Sequence, residues 1–318
     1  MVDLKKQRIY TLVSRLGSIG VIVSVFAFFA TTMPNVWLSG YNLLNMLEQT
    51  VTLGLIVLGM TVIRAVGEMD LSVGAMLTLS SVLSMGLVVN AGMPPLVAIA
   101  ISLLVGAVAG LLNGFLRTTA RIPGVIPTIG SQGILTGAAL VYSKGMAIYG
   151  SGPDVQAFTR IGRGIAPVAV LIAGTILVWW FLARTRYGRL VYMTGGNPEA
   201  TRFSGARVNR VILSAYVICA VFAAAGGAML SGRIGSGNPT AGGDFLLDCI
   251  IAVMIGSTVL TQEQEFTGLG SLIGALFMTV VNTGMQITKQ GYPAQCLLRG
   301  ILFLVCLFLF SLQRRATE

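Results

Sequence analysis

Three charged residues, Asp244, Asp248 and Arg299, stand inside otherwise apolar runs of the chain. Ionisable groups in such runs are costly and mark ion or solute pathways. Each falls near the end of its run, so an ion-driven mechanism has few parts to work with. A second chemical feature is the Arg-rich passage 187–207, the longest polar stretch in the sequence. Other chemistries are excluded by what is missing. There is no histidine, hence no HExxH zinc site and no Ser–His pair. No Gly-Lys dipeptide occurs, so no phosphate-cradling P-loop can form. Cys219, Cys249, Cys296 and Cys306 lie in apolar runs without CxxC spacing and read as small buried hydrophobes. The chain is therefore expected to be no enzyme, with no catalytic residue, no metal site and no cofactor of its own.

The elements that must position these residues are set by composition. The 318 residues are 55% hydrophobic and 10% charged, against about 25% charged in soluble domains. So few charges cannot cover a globular surface, and the solvent must be lipid. The net charge of +10 then reflects basic loops on the cytoplasmic side rather than nucleic-acid binding. Apolar runs at 17–32, 50–65, 71–90, 94–116, 122–143, 166–183, 211–231, 244–260, 267–288 and 294–312 predict an all-α integral membrane protein. It has about ten transmembrane helices, 50–65 being the short one, in a single domain over 1–318. The first run reads as an uncleaved span rather than a signal peptide, since no Ala-x-Ala site follows it. With both termini cytoplasmic, most Lys and Arg fall inside; Lys144, Arg160, Arg163, Arg233 and Lys289 fall outside. Gly106, Gly110 and Gly114, Gly133 and Gly137, and Gly270 and Gly274 recur at small-xxx-small spacing and predict close helix packing.

Two polar breaks open apolar runs in a similar way. One is Gly67-Glu-Met-Asp70-Leu-Ser72-Val-Gly74, where Asp70 and Ser72 are candidates for a helix cap or a gate contact. The other is Gly242-Gly-Asp244-Phe-Leu-Leu-Asp248. Together they suggest an inverted repeat of spans two to five and seven to ten. Within the loop 184–210, Asn197 suits an N-cap, Pro198 the first helical position, Glu199 the positive helix end, and Gly205 the stop. The helix that results is too short to stand alone. Ala200 and Phe203 give it an apolar ridge beside Arg202 and Arg207. Two readings follow: it docks in a groove of a soluble partner, or it lies on lipid headgroups.

The run Gly195-Gly-Asn-Pro-Glu-Ala-Thr-Arg-Phe-Ser-Gly205 resembles the Gly-Gly-Asn-x-x-Ala-Ala-x-Leu-Ser-Gly-Ile signature of bacterial ABC importer permeases of the ribose, arabinose and autoinducer-2 group. Met69-Asp-Leu-Ser-Val-Gly74 is similar to that family's Ile-Asp-Leu-Ser-Val-Gly, and weaker glycine-rich matches continue in order from about 42 to 312. The resemblance implies a permease subunit of an ATP-driven importer in the bacterial inner membrane. It would pair with a second permease subunit, receive a sugar or sugar-like solute from a periplasmic binding protein, and be driven by a cytoplasmic ATPase that binds ATP and Mg. The coupling helix between spans six and seven would seat in that ATPase through Gly196, Asn197, Glu199, Ala200, Ser204 and Gly205, with Phe203 added from the apolar ridge. The outer loops carrying Arg160, Arg163 and Arg233 would meet the binding protein. An ion-coupled secondary transporter is the alternative. The chain departs from the family at Glu68, where glycine is usual, and in the acidic loop 261–266.

Overall fold

The computed structural model describes residues 4–260 and 266–317. The acidic loop 261–266 therefore lies outside the described residues apart from Phe266. The chain runs through α1 (Leu4–Thr32), α2 (Pro34–Trp37), α3 (Gly40–Ala65), α4 (Val73–Ala91), α5 (Pro95–Thr118) and α6 (Val125–Ser143). It continues with β1 (Ile148–Tyr149), α7 (Pro153–Gly162), α8 (Ile165–Arg184), α9 (Arg186–Gly196), α10 (Pro198–Phe203) and α11 (Val208–Ile234). It closes with β2 (Ser236–Gly237), α12 (Phe245–Leu260), α13 (Gly268–Ile287) and α14 (Tyr292–Thr317). Among the described residues nine helices are long and apolar enough to cross a membrane, and α12 is a shorter apolar helix. Its 16 residues span about 24 Å at 1.5 Å each, less than the roughly 30 Å of hydrocarbon.

The expected short span at 50–65 is instead the last part of a 26-residue helix. Its first half hides behind polar residues that are satisfied locally. Ser39 caps the helix by accepting from the Asn42 N–H, the Asn42 amide donates to the Trp37 carbonyl at 2.9 Å, and Glu48 accepts from the Gly164 N–H at 2.6 Å. Internal pairing of this kind is what allows polar groups in a span.

Helices α3, α4 and α11 form the centre. Burial separates them from the rim: 83% of the α3 span is buried, against 11% of the α1 span. Gly59 packs on the Cys219 backbone and Gly226 on the Thr52 carbonyl, so α3 and α11 run antiparallel. The pairings then repeat between the halves. Helix α11 packs on α5 as α3 packs on α13, α4 packs on α6 as α12 packs on α14, and α4 meets α5 as α12 meets α13. Two halves built alike and run in opposite directions are an inverted repeat.

Glycines decide where helices meet. A Cβ at Gly110 would sit 2.6 Å from the Tyr216 carbonyl oxygen, and Gly270 and Gly274 press on Gly256 and Ala252. Gly133 and Gly137, expected to do the same, do not: nothing lies within 4 Å of a Cβ at either. Small-xxx-small spacing states that a close approach is allowed, not that a neighbour is there. Cys296 is likewise exposed rather than buried, whereas Cys219, Cys249 and Cys306 are buried as expected.

Candidate functional site

At one end of the bundle, α9 and α10 form a platform. Sequence reasoning found α10 but missed α9. Thr185 caps α9 by accepting from the Gly188 N–H at 2.9 Å, and Gly188, Val191 and Thr194 are turned inward at helical spacing. Two tyrosines and one glycine tie α9 to three spans. The Tyr187 hydroxyl bonds with Ser214 of α11 at 2.7 Å. The Tyr192 hydroxyl donates to the Phe266 carbonyl at 2.5 Å, just before α13, and burial pushes its pKa up to about 12. Gly195 lies against the Ala65 carbonyl at the end of α3 so closely that no side chain fits. Arg64 stacks over the Phe266 ring at 5.5 Å, drawing α3 to the entrance of α13.

Helix α10 sits on this platform with its outer face bare. The Asn197 side chain accepts from the Ala200 N–H at 2.9 Å, as the cap reading required. Thr201 alone is buried; Gly196, Glu199, Ala200, Ser204 and Gly205 are exposed, and Phe203 is 90% exposed. Gly205 takes φ +85° and ends the helix. Ala200 and Phe203 thus share an outward ridge. Beside them is a cavity of about 830 Å³ bordered by Arg117, Arg121, Arg202, Arg207 and Arg210. Glu68, the departure from the family pattern, is explained there: it pairs with Arg117 at 2.6 Å and accepts from the Tyr216 hydroxyl at 3.3 Å.

The break at 67–74 is not capped as expected. Asp70 does not cap α4; its Oδ1 accepts from the Ser72 N–H at 2.8 Å and from the Ser72 hydroxyl, a turn closed two residues on. Ser72 occupies the N-cap position with no capping bond. The reason is that both side chains are taken up by a network. Asn113 of α5 donates to the Ser72 hydroxyl at 3.2 Å, and Ser131 of α6 donates to Asn113. Asp70 is fully buried, which holds its carboxyl above the usual range against the pull of the Ser72 bonds. Asn113 and Ser131 escaped sequence reasoning, although each is a polar residue in an apolar run.

At the opposite end, β1 and β2 pair antiparallel, Ile148 with Gly237 and Tyr149 with Ser236, joining the loops around 144–165 and 232–243 into one surface. Arg160 and Arg163 are exposed there, and Arg163 donates to the Arg233 carbonyl at 2.8 Å. Arg233 itself is only partly exposed and borders a cavity that opens at Gln286. From β2 the chain folds back into the bundle until the Gly242 N–H donates to Thr78 of α4 at 2.9 Å. A Cβ at Gly74 would lie 2.6 Å from the Gly242 carbonyl oxygen, so the two polar breaks of the sequence touch.

This return places Asp244 and Asp248 around Arg299. The guanidinium pairs with Asp244 at 3.1 Å and with Asp248 at 3.0 Å, while Asn282 donates to Asp248 at 2.7 Å. The three intramembrane charges thus bind one another. Among the described residues no group of three His, Cys, Asp or Glu could hold a metal ion.

Comparison with known proteins agrees in one direction. Residues 42–307 match the family model described as "Branched-chain amino acid transport system / permease component". The ribose import permease protein of Bacillus subtilis (strain 168) is 36% identical over 86% of this chain and 85% of its own length. That of Escherichia coli (strain K12) is 32% identical over 89% of each, and the fructose import permease protein of Rhizobium meliloti is 31% identical over 89% of this chain and 81% of its own. No solved structure matches the chain.

Proposed function

The chain belongs to the branched-chain amino acid transport system / permease component family, and from that premise we propose the solute, partners and orientation of the transporter it serves. It is a multi-pass membrane permease subunit of an ABC importer, a transport component without catalysis of its own. Its solute is a sugar or sugar-like molecule, by analogy with relatives named for ribose and fructose import. It lies in the bacterial inner membrane with both termini cytoplasmic, paired with a second permease subunit. A periplasmic binding protein docks on the joined loops that carry Arg160 and Arg163, with Arg233 behind them. A cytoplasmic ATPase supplies ATP and Mg.

Helix α10 couples to that ATPase through Gly196, Asn197, Glu199, Ala200, Phe203, Ser204 and Gly205. The observation that carries this reading is a six-residue helix, too short to persist alone. It projects an exposed Phe203 from a platform tied to α3, α11 and the entrance of α13. Movement of an ATPase seated on the ridge would pull on those spans together. The Asp70–Ser72 network, which links the start of α4 to α5 and α6, is the candidate gate contact on the same side.

The test replaces Phe203 and Glu199 by alanine in the assembled transporter. Capture of the ATPase and uptake of labelled D-ribose should both fall, while the melting temperature of the detergent-solubilised protein stays unchanged because both side chains are exposed. Unchanged ATPase capture with intact uptake sinks the coupling assignment.

A further inference from the structure

The cavity between α3, α12, α13 and α14, which opens outward at the exposed Gln286, has a composition that the fold alone does not require. It measures about 250 Å³, the room of about eight waters at roughly 30 Å³ each. Four amides and hydroxyl-bearing Thr279 line it with the charge cluster, the amides being Gln49, Asn282, Gln286 and Gln295. Arg299 is the eighth residue of α14, so the cluster lies about 10 Å along the helix from its end at 1.5 Å per residue. At that depth a lipid-facing bundle would ordinarily be filled by apolar side chains, while Gln286, last but one in α13, and Gln295, fourth in α14, stand nearer the mouth.

Two physical points narrow what the cavity fits. The first is charge. Asp244 and Asp248 oppose Arg233 and Arg299, so the wall carries no formal excess of either sign. A neutral wall gives no attraction to an anionic or cationic solute over a neutral one. The second is hydrogen bonding. Each amide has a carbonyl acceptor and two N–H donors; Asn282 binds Asp248 and Arg299, and Gln295 gives one N–H to the Gln290 carbonyl at 3.0 Å, which leaves the Gln295 carbonyl and the Gln286 amide to face a solute. The Arg299 Nε and Nη1 and the Asp248 Oδ1 are buried and held in ion pairs at 3.0 and 3.1 Å with one another and with Asp244. The groups left for a solute are therefore the lining amides. Vicinal hydroxyls, each donor and acceptor at once, supply both kinds of partner in one molecule.

We propose that this cavity is a contact site for a small neutral polyhydroxylated solute on the outer half of the translocation path, with Gln286 and Gln295 as solute-touching amides and the Asp244–Arg299–Asp248 cluster as their rigid wall. The proposal rests on the permease reading above and adds the place and chemistry of solute contact. Transport requires the contacts to be weak and numerous, so that the solute enters and leaves, and neutral amides suit that better than a fixed unpaired charge.

The experiment uses the assembled transporter with its ATPase and binding protein in proteoliposomes, with labelled D-ribose as the probe. Gln286→Leu and Gln295→Leu keep the side-chain size and remove hydrogen bonding. Each should lower uptake about fivefold, the factor expected for one lost neutral hydrogen bond, with ATPase capture and melting temperature unchanged. Uptake within twofold of wild type in both variants overturns the proposal. A second arm places Gln286→Cys in a Cys296→Ser background and follows its modification by a small methanethiosulfonate reagent added outside. Turnover of D-ribose should slow the reaction severalfold, and equal rates with and without D-ribose also overturn the proposal. Absence of D-ribose uptake by the wild-type complex, across a panel of neutral monosaccharides, counts against the permease reading and is told apart by that control.

Discussion

The two ends of the bundle handle polar groups in opposite ways. At the ribbon end, Asp248 and Arg299 are buried and, with the part-exposed Asp244, pair at 3.0 and 3.1 Å. At the platform end, α10 turns Glu199, Arg202 and Phe203 outward, and the structure holds only its base. The difference is one of solvent. Charges surrounded by helices must find partners within the chain, whereas groups facing water can be left for a partner protein. The first end is complete in itself and its chemistry concerns what passes through. The second is incomplete by design and its chemistry concerns what binds.

That contrast can be broken most severely at Arg299. Arg299→Leu removes the shared cation and leaves the buried Asp248 carboxylate without its ion-pair partner. The expected cost is about 3–5 kcal/mol, read as loss of folded protein in detergent or a large fall in melting temperature. A stability close to wild type would mean that water reaches the cluster freely and the inward end is not closed. The next largest effect lies where the platform meets the bundle. Gly195→Ala adds a methyl against the Ala65 carbonyl and should cost about 1–3 kcal/mol by overpacking. It should also loosen α9, seen as faster hydrogen exchange in 186–196. The smallest sharpens the outward end alone. Asn197→Ala removes the cap on the Ala200 N–H and costs about 1 kcal/mol of α10 stability. Exchange should quicken in 198–203 while global melting does not move.

Much of the architecture was legible in the residues. Span positions followed from apolar runs, because lipid accepts few other sequences at that length. The α10 signals at Asn197, Pro198 and Gly205 were read correctly because capping is local chemistry. The errors share a cause. The first half of α3 was missed because Asn42 and Glu48 look unfit for a span until their partners, Trp37 and Gly164, are in place. Asp70 was expected to cap a helix because the nearest N–H was the only partner visible along the chain. In space, Asn113 and Ser131 extend the network that occupies Ser72. Gly133 and Gly137 carried the same spacing as Gly106 and Gly110 and yet meet nothing.

By itself, the sequence determined that this is a membrane chain without histidine or a P-loop and with one short capped helix between its spans. These are properties of composition and of contacts a few residues apart. Only the tertiary structure decided that Asp244, Asp248 and Arg299 form one ion-paired cluster, that the two polar breaks touch, and that α9 fastens α10 to three spans. Each of those joins residues distant along the chain, and their energies depend on distance and burial, which no local pattern encodes.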